Sequence, residues 1–366
     1  MDPNNDKRIV LTLDAGGTNF VFSAMQANRE ITEPVILPPN AGDLGKCIET
    51  IAEGFKTVMG KLNQKPVAIS FAFPGPGDYA SGIIGDLNNL PAFRGGVPLG
   101  PILRSKFRLP VFINNDGDLY AYGEALSGFL PYVNRLLHEA GINKQYHNLM
   151  GFTLGTGFGA GLVRNNELIR GDNSAAGEVW LFGNRHYPSV NAEEGISIRA
   201  IKRVYAEKSG MDIHKTPEPK DIYEIAAGRI DGNTEAAKEA FRQLGTVLGD
   251  VLANLITVFD GAVVIGGGIS GAMSLIYPPM MKELGAEFSN YEDKNYPRLV
   301  QKVYYINDPG SRKNFLTWKE KILKVPGTDE TIQYSPEPRI PVGTSEMGTS
   351  RAIAAGAYAF ALHSLK

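Results

Sequence analysis

The stretch LTLDAGGTNFVFSAM, residues 11–25, decides the fold of this chain. An apolar run leads into Asp14, two glycines, a threonine and an asparagine, and a second β-rich run follows. A dinucleotide-binding loop needs a helix after its glycines, and the string GxxxxGK[ST] does not occur in the sequence. The pattern therefore predicts a β-hairpin with a glycine-rich turn rather than a Rossmann or Walker A loop.

A second stretch, LMGFTLGTGFGAGLVRNNELI at 149–169, repeats this design. Two such hairpins about 140 residues apart indicate a duplicated domain. Each turn offers backbone N–H groups and a threonine hydroxyl that can bind a phosphate. The alternative at this point is a pair of ordinary glycine-rich hairpins.

A third glycine cluster closes the stretch VVIGGGIS at 263–270. Before it, apolar residues recur at spacings of three and four over 234–259, which predicts a long helix. A helix, a strand and a glycine turn form a common α/β unit. The pattern alone does not separate a ligand-binding turn from a structural one.

Acidic residues follow several of these elements. The stretch LPVFINNDGDLYAYGEAL, 109–126, predicts a strand, then Asn115 and Asp116, then a helix. A carboxylate at such a junction can face a cleft, although Asp and Asn are also ordinary helix caps. Glu178 lies in a loop of small residues, and Glu193 and Glu194 precede an amphipathic helix, where the helix dipole alone explains acidic residues.

Composition narrows the class of protein. The chain has 366 residues, a net charge of −2 and a single cysteine. Such a charge gives no indication of binding to nucleic acid or to an anionic membrane. A single cysteine excludes an intramolecular disulfide and a cysteine-based metal cluster. No apolar leader opens the sequence, and the most apolar stretch, 251–267, is broken by Asp260 and glycines. We expect a cytoplasmic protein.

The order of these motifs, together with FAFPGPGD and NNLPAF at 71–93, resembles the ROK family (repressor, open reading frame, kinase) of bacterial sugar kinases. The resemblance covers about residues 8–272 and returns at 346–362. It implies an α/β fold of two duplicated actin-like ATPase (ribonuclease H-like) domains with a cleft between them. The first domain is expected at 1–116 plus 348–366, and the second at 117–347, with an insertion at about 273–345.

The resemblance also implies roles in binding Mg-ATP. Asp14 matches the residue that holds Mg²⁺ through water. The residues matching the nucleotide-binding motifs are Asp14, Gly16, Gly17, Thr18 and Asn19 in the first phosphate turn, Gly155, Thr156 and Gly157 in the second, and Gly266, Gly267 and Gly268 in the turn against the adenosine.

The sugar site is implied in the same way. Asp116 matches the catalytic base. The residues matching sugar ligands are Asn89, Asn115, Glu178 and Glu193, with Glu194 as the alternative to Glu193.

Two departures from the family pattern concern the region after Glu178. The cysteine-rich zinc loop of many members is absent, so no zinc is expected. Leu181 stands where many members have a histidine that contacts the sugar. This leaves the identity of the sugar open.

The function implied is ATP-dependent phosphorylation of a hexose, at the 6-hydroxyl by family expectation. The alternative is a catalytically impaired sugar-binding regulatory protein of the same fold. A transcriptional repressor of this family carries a helix-turn-helix before the first strand, and about seven residues precede it here. A homodimer is implied by the resemblance alone, and neither nucleic acid nor membrane is expected as a partner.

Overall fold

A computed structural model describes residues 3–16, 18–87 and 90–365. The strands are β1 (Val10–Ala15), β2 (Phe20–Gln26), β3 (Arg29–Glu30), β4 (Val35–Leu37), β5 (Ala68–Ala72), β6 (Gly77–Asp78), β7 (Ile83–Ile84), β8 (Val111–Asn114), β9 (Asn148–Leu154), β10 (Phe158–Arg164), β11 (Glu167–Ile169), β12 (Ala262–Gly266), β13 (Glu287–Ser289), β14 (Asn295–Pro297), β15 (Lys302–Tyr305), β16 (Lys321–Lys324), β17 (Thr331–Tyr334) and β18 (Arg339–Thr344). The α-helices are α1 (Leu44–Gly60), α2 (Leu99–Phe107), α3 (Asp116–Ser127), α4 (Phe129–Glu139), α5 (Ile198–Ser209), α6 (Pro219–Ala226), α7 (Thr234–Phe259), α8 (Met273–Leu284), α9 (Pro309–Phe315) and α10 (Thr349–Ser364).

Two sheets of six strands share one topology. The first has the order β3-β2-β1-β5-β8, with β4 paired to β2, and the second has the order β11-β10-β9-β12-β18-β15. In both, an antiparallel hairpin leads into strands that run parallel to its first member. The two glycine hairpins predicted from sequence are β1–β2 and β9–β10, so the predicted duplication of an actin-like α/β domain is confirmed.

Helix α7 covers the range that the sequence periodicity predicts. The Asn233 side chain caps it by accepting from the backbone N–H of Ala236. Phe241, Leu244 and Leu248 are buried against the second sheet and its helices, and burying each such side chain stabilises the fold by about 1.5–3 kcal/mol. Among the described residues, no helix is both long and apolar enough to cross a bilayer.

Helices α3 and α10 cross each other between the two sheets. Helix α3 follows β8 of the first sheet but packs on β9 and β10, whereas α10 follows β18 of the second sheet but packs on β1 and β5. At the crossing, a Cβ atom on Gly123 would lie 1.9 Å from the carbonyl oxygen of Ala352, and one on Gly356 would lie 1.9 Å from that of Leu119. Only glycine allows this backbone approach.

The segment 273–345 contributes to the second sheet and also projects from it. Helix α8 packs on α7, and β15 and β18 extend the sheet. Within the described part of the chain, the hairpins β13–β14 and β16–β17 pair only within themselves, and their side chains are exposed throughout. That this segment is an insertion stays a prediction.

Candidate active site

The register of the first sheet gathers the predicted residues at one edge. Asp14 pairs with Ala72 across β1 and β5, and Ala72 pairs with Asn114 across β5 and β8. Because these strands are parallel, Asp14 and the start of α3 lie at the carboxyl end of the sheet. This is the edge at which α/β sheets bind ligands.

The first glycine turn is tight and open to solvent. A Cβ atom on Gly16 would lie 2.9 Å from the carbonyl oxygen of Asn19. Asp14, Thr18 and Asn19 are all exposed, as a ligand-binding turn requires. Gly17 lies outside the described residues.

The second sheet brings its two glycine turns together. Gly266 pairs with Thr153 at the ends of β12 and β9. Gly267 has φ of 87°, and a Cβ atom there would lie 2.2 Å from the carbonyl oxygen of Leu154. At the Cβ positions of Gly155 and Gly268, no atom of the described residues lies within 4 Å. The structure thus places the predicted phosphate turn at 155–157 next to the predicted adenosine turn at 266–268, with free space beside both.

Asn115 and Asp116 lie where the sequence predicts, at the junction of β8 and α3. One oxygen of each side chain accepts from the N–H of Gly117, both at 2.8 Å. Asp116 has an exposed surface at the carboxyl edge of the first sheet, yet burial by the surrounding protein raises its pKa. The Gly117 hydrogen bond opposes this shift, and the negative charges of Asp14 and Glu178 add to it. Asp116 is therefore coupled electrostatically to Asp14 and Glu178, and a carboxylate of raised pKa is a stronger base.

Asp118 is a fourth carboxyl group in this cluster, and sequence reasoning missed it. It is 5% exposed, and its Oδ1 has no hydrogen-bond partner among the described residues. Burial raises the pKa of Asp118 to about 8; the Arg170 guanidinium opposes the shift, while Asp116 and Glu178 add to it. The acidic string NNDGD was the signal that could have indicated this residue.

Tyr79 supports the loop that passes over Asn115. Its hydroxyl donates to the carbonyl oxygen of Phe73 at 3.1 Å and also hydrogen-bonds with the Asn115 side chain. A Cβ atom on Gly75 would lie 2.7 Å from that hydroxyl. Tyr79 therefore fixes the loop at 73–77 against Asn115. Asn89, predicted as a sugar ligand after this loop, lies outside the described residues.

Glu178 is held at the surface by its neighbours. Gly177 has φ of 86° and packs on β10, where a Cβ atom would lie 3.0 Å from the carbonyl oxygen of Ala160. The indole N–H of Trp180 donates to the Glu178 carboxylate. Leu181 is 59% exposed. It stands where many members of the family that the sequence resembles have a histidine. Beside Glu178, the chain therefore offers an indole and an aliphatic side chain.

The loop between Glu178 and Glu193 is organised by Asn184. Gly183 and Asn191 pair across its base. Asn184 is 2% exposed; its Oδ1 accepts from the N–H groups of His186 and Tyr187 at 2.9 and 3.2 Å, and its Nδ2 donates to Asn191 at 3.4 Å. A buried amide side chain thus stands at the centre of the segment where the zinc loop of many members would fall.

Ion pairs anchor the same loop to the second sheet's helices. Arg185 lies 3.1 Å from Asp250 of α7 and 2.9 Å from Glu283 of α8. Arg298, which is 5% exposed, pairs with the same two carboxylates. Two arginines therefore neutralise two partly buried acids, and Arg185 ties the loop to α7 and α8.

Glu193 contacts the second glycine turn. Its Oε2 accepts from the N–H of Phe158 at 3.0 Å, and its Oε1 lies 2.8 Å from the guanidinium of Arg199. Glu194 pairs with the same guanidinium at 2.7 Å. The structure therefore places the predicted sugar ligand beside the predicted phosphate turn, in contact with an arginine that sequence reasoning did not single out.

Comparison with known proteins gives one consistent family. The model of the ROK family matches residues 10–320. A crystallised glucokinase from Parabacteroides distasonis is 53% identical, with a TM-score of 0.90 over 99% of both chains. An N-acetyl-D-glucosamine kinase of Vibrio cholerae is 29% identical over 74% of this chain and 87% of its own. A glucokinase of Halalkalibacterium halodurans is 27% identical over 75% of this chain and 84% of its own.

These matches agree with the architecture already described. The matched range includes both glycine hairpins, the junction at Asn115 and Asp116, and the residues Glu178 and Glu193. The duplicated sheets, the crossing helices and the order of these motifs along one chain therefore have a single explanation: this protein belongs to the ROK family.

Proposed function

We propose that this protein is an ATP-dependent kinase that phosphorylates a hexose, at its 6-hydroxyl. The observation that carries this proposal is that Asp14 and Asp116 lie at the same carboxyl edge of the first sheet. The glucokinases and the N-acetylglucosamine kinase among its relatives support it and suggest glucose and N-acetylglucosamine as the first sugars to test.

In the proposed reaction, Asp116 accepts the proton of the sugar hydroxyl as its oxygen attacks the γ-phosphorus. The new P–O bond forms while the bond to the β,γ-bridging oxygen breaks, and ADP leaves. A carboxylate is sufficient because the hydroxyl becomes more acidic as bonding to phosphorus develops. The capped start of α3 keeps Asp116 in place.

The residues present fit Mg²⁺ and a triphosphate. Mg²⁺ is commonly bound by one or two carboxylates, water and substrate phosphates, and Asp14 is an exposed carboxylate at the end of β1. When bound, the ion would neutralise charge on the phosphates. The first domain would hold the phosphates with Gly16, Gly17, Thr18 and Asn19. The second domain would hold them with the turn at 155–157 and would contact the adenosine with the turn at 266–268.

Four residues are proposed to bind the sugar hydroxyls: Asn89, Asn115, Glu178 and Glu193. Once a bound sugar covers these polar groups, an analogue that leaves one of them unpaired would bind less well. Leu181 and the Trp180 ring add apolar contact, which suits the methyl group of an acetamido sugar.

We also propose the division into domains at 1–116 plus 348–366 and 117–347. The packing of α3 on the second sheet and of α10 on the first supports a boundary near Asp116. The protein is further proposed to be a cytoplasmic homodimer that binds neither nucleic acid nor membranes.

The test is an ADP-release assay with Mg-ATP against a panel of hexoses and N-acetylhexosamines. Loss of a general base removes about 10²–10⁴-fold in rate, so we expect Asp116→Asn to lower kcat by that factor while sugar and nucleotide still bind. Glu207→Gln, an exposed acid far along α5, serves as the control. Sugar binding by calorimetry without turnover on any member of the panel would refute the kinase and favour a catalytically impaired regulatory protein, a reading that the replacement of histidine by Leu181 motivates.

A further inference from the structure

The start of α5 holds the second glycine turn by its carbonyl oxygens. The N–H of Ile198 donates to the carbonyl of Gly155 at 2.9 Å, and the Arg199 guanidinium donates to that of Thr156 at 3.1 Å. In a trans peptide, the C=O and N–H point in opposite directions. The N–H groups of Thr156 and Gly157, which belong to these two peptides, are therefore turned away from α5.

This orientation matters because consecutive N–H groups facing one way form an anion-binding concavity. Within the turn, the N–H of Gly155 donates to the carbonyl of Gly157 at 3.0 Å, and the carbonyl of Thr156 is held from outside the turn. A contact that holds the Thr156 carbonyl thus also sets the direction of the neighbouring N–H. Arg199 is the side chain that makes this contact.

The same guanidinium binds both glutamates before α5. It lies 2.8 Å from Glu193 and 2.7 Å from Glu194. These adjacent carboxylates repel each other, and a cation between them removes that repulsion. Arginine can do this while also reaching a carbonyl because its planar fork carries five N–H donors.

The other carboxylate oxygen of Glu193 contacts the glycine turn. That oxygen accepts from the N–H of Phe158 at 3.0 Å, and a Cβ atom on Gly157 would lie only 2.7 Å from it. The carboxylate is therefore in contact with the glycine turn on one side and with Arg199 on the other. Any ligand that immobilises Glu193 also immobilises the turn.

We propose that Arg199 is a positioning residue that couples sugar binding to Mg-ATP binding. The proposal rests on the proposed function, which gives Glu193 to the sugar and residues 155–157 to the phosphates. A sugar hydroxyl that donates to Glu193 orders the linked turn, so the nucleotide then binds without that ordering cost, and the cooperativity is positive. The effect is reciprocal by thermodynamic necessity.

The test is isothermal titration calorimetry of the full chain with a non-hydrolysable Mg-ATP analogue and with glucose or N-acetylglucosamine. The quantity measured is the ratio of the analogue's dissociation constants without and with saturating sugar. We expect a ratio of about 5 or more for the wild type, the lower range of allosteric coupling, and about 1 for Arg199→Met. The sugar titration, with and without the analogue, has to give the same two ratios.

Two further variants keep the result specific. Lys202 lies on α5, as Arg199 does, and forms an ion pair with Glu218 at 2.7 Å. Lys202→Met removes this ion pair and should keep the wild-type ratio. Glu194→Gln removes one partner of Arg199 without touching Glu193 and should give an intermediate ratio. Glu194→Gln reports on the inference even if Arg199→Met folds poorly, and a wild-type ratio in Glu194→Gln would overturn it.

The outcomes separate this inference from the proposed function. An unchanged ratio in Arg199→Met, or a wild-type ratio of 1 with both ligands binding, overturns the coupling role but leaves the kinase. A wild type that binds nucleotide but no sugar of the panel overturns the proposed function and, with it, this inference.

Discussion

Asp118→Asn tests the electrostatics of the candidate site. Asp118 is 5% exposed, and burial raises the pKa of its carboxyl group from 3.8 to about 8 against the opposing charge of Arg170. In the unfolded chain, the carboxyl group returns to its ordinary pKa. Between these two values, the folded protein holds one more proton than the unfolded chain.

The sign of the effect follows from this difference. Stability falls as pH rises wherever the folded state binds more protons, so Asp118 destabilises the protein increasingly from about pH 4 to pH 8. A full proton corresponds to about 1.4 kcal/mol per pH unit. Between about pH 5 and pH 7, we expect the wild type to lose up to about 2.7 kcal/mol through this group, with local relaxation and water entry reducing the loss. The amide of the variant does not titrate and loses none.

The measurement is urea unfolding of the ligand-free protein, followed by the fluorescence of Trp180 and Trp318, at several pH values in this range. The difference in unfolding free energy between variant and wild type should grow with pH, because titrating groups that are not coupled to Asp118 contribute equally to both proteins. Asp231→Asn, an exposed aspartate in the loop before α7, should show a constant difference. A difference for Asp118→Asn that stays constant within about 0.5 kcal/mol, the size of an ordinary surface effect, would show that Asp118 is ionised in the folded protein and would refute the reasoning.

Three further outcomes are expected. Asn184→Ala leaves the N–H groups of His186 and Tyr187 without an acceptor, so we expect a loss of about 2 kcal/mol in stability. We also expect KM for sugar to rise about 10-fold. An equal rise in KM for Mg-ATP would contradict a role confined to the sugar loop. Gly356→Ala forces a Cβ atom against the Leu119 carbonyl and should cost about 3 kcal/mol in thermal unfolding, whereas Gly60→Ala, in open space, should cost little. Tyr79→Phe removes the hydroxyl under the 73–77 loop and should lower kcat about 10-fold with KM for Mg-ATP unchanged; an unchanged kcat would rule out positioning by Tyr79.

The parts of the fold that could be predicted from sequence are those written in local patterns. The glycine hairpins need only two apolar runs and a turn, and α7 follows from an uninterrupted period that begins at a capping Asn233. The strand-to-helix junction at Asp116 is equally local, and the structure confirms its position. The roles of these residues came from the order of the motifs and remain predictions.

Contacts between distant elements could not be predicted. Arg199 looks like a surface residue of an amphipathic helix, and its carbonyl partner, Thr156, is 43 residues away. The register that aligns Asp14 with Ala72 depends on the strand order, which parallel strands joined by long crossovers do not reveal. Asp118 resembles an ordinary residue of a first helical turn until the packing of α3 on the second sheet buries it.

The exchange of α3 and α10 between the sheets also limits the order in which the chain can fold. Val10 and Ala68, on one face of the first sheet, are covered by Tyr358 and Leu362 of α10, and Tyr358 donates its hydroxyl to the carbonyl of Asp6. Helix α10 leaves the ribosome only after the whole second sheet. The first sheet thus has an uncovered apolar face until residues 349–364 appear, and we expect this face to be the part of the nascent chain most prone to aggregation.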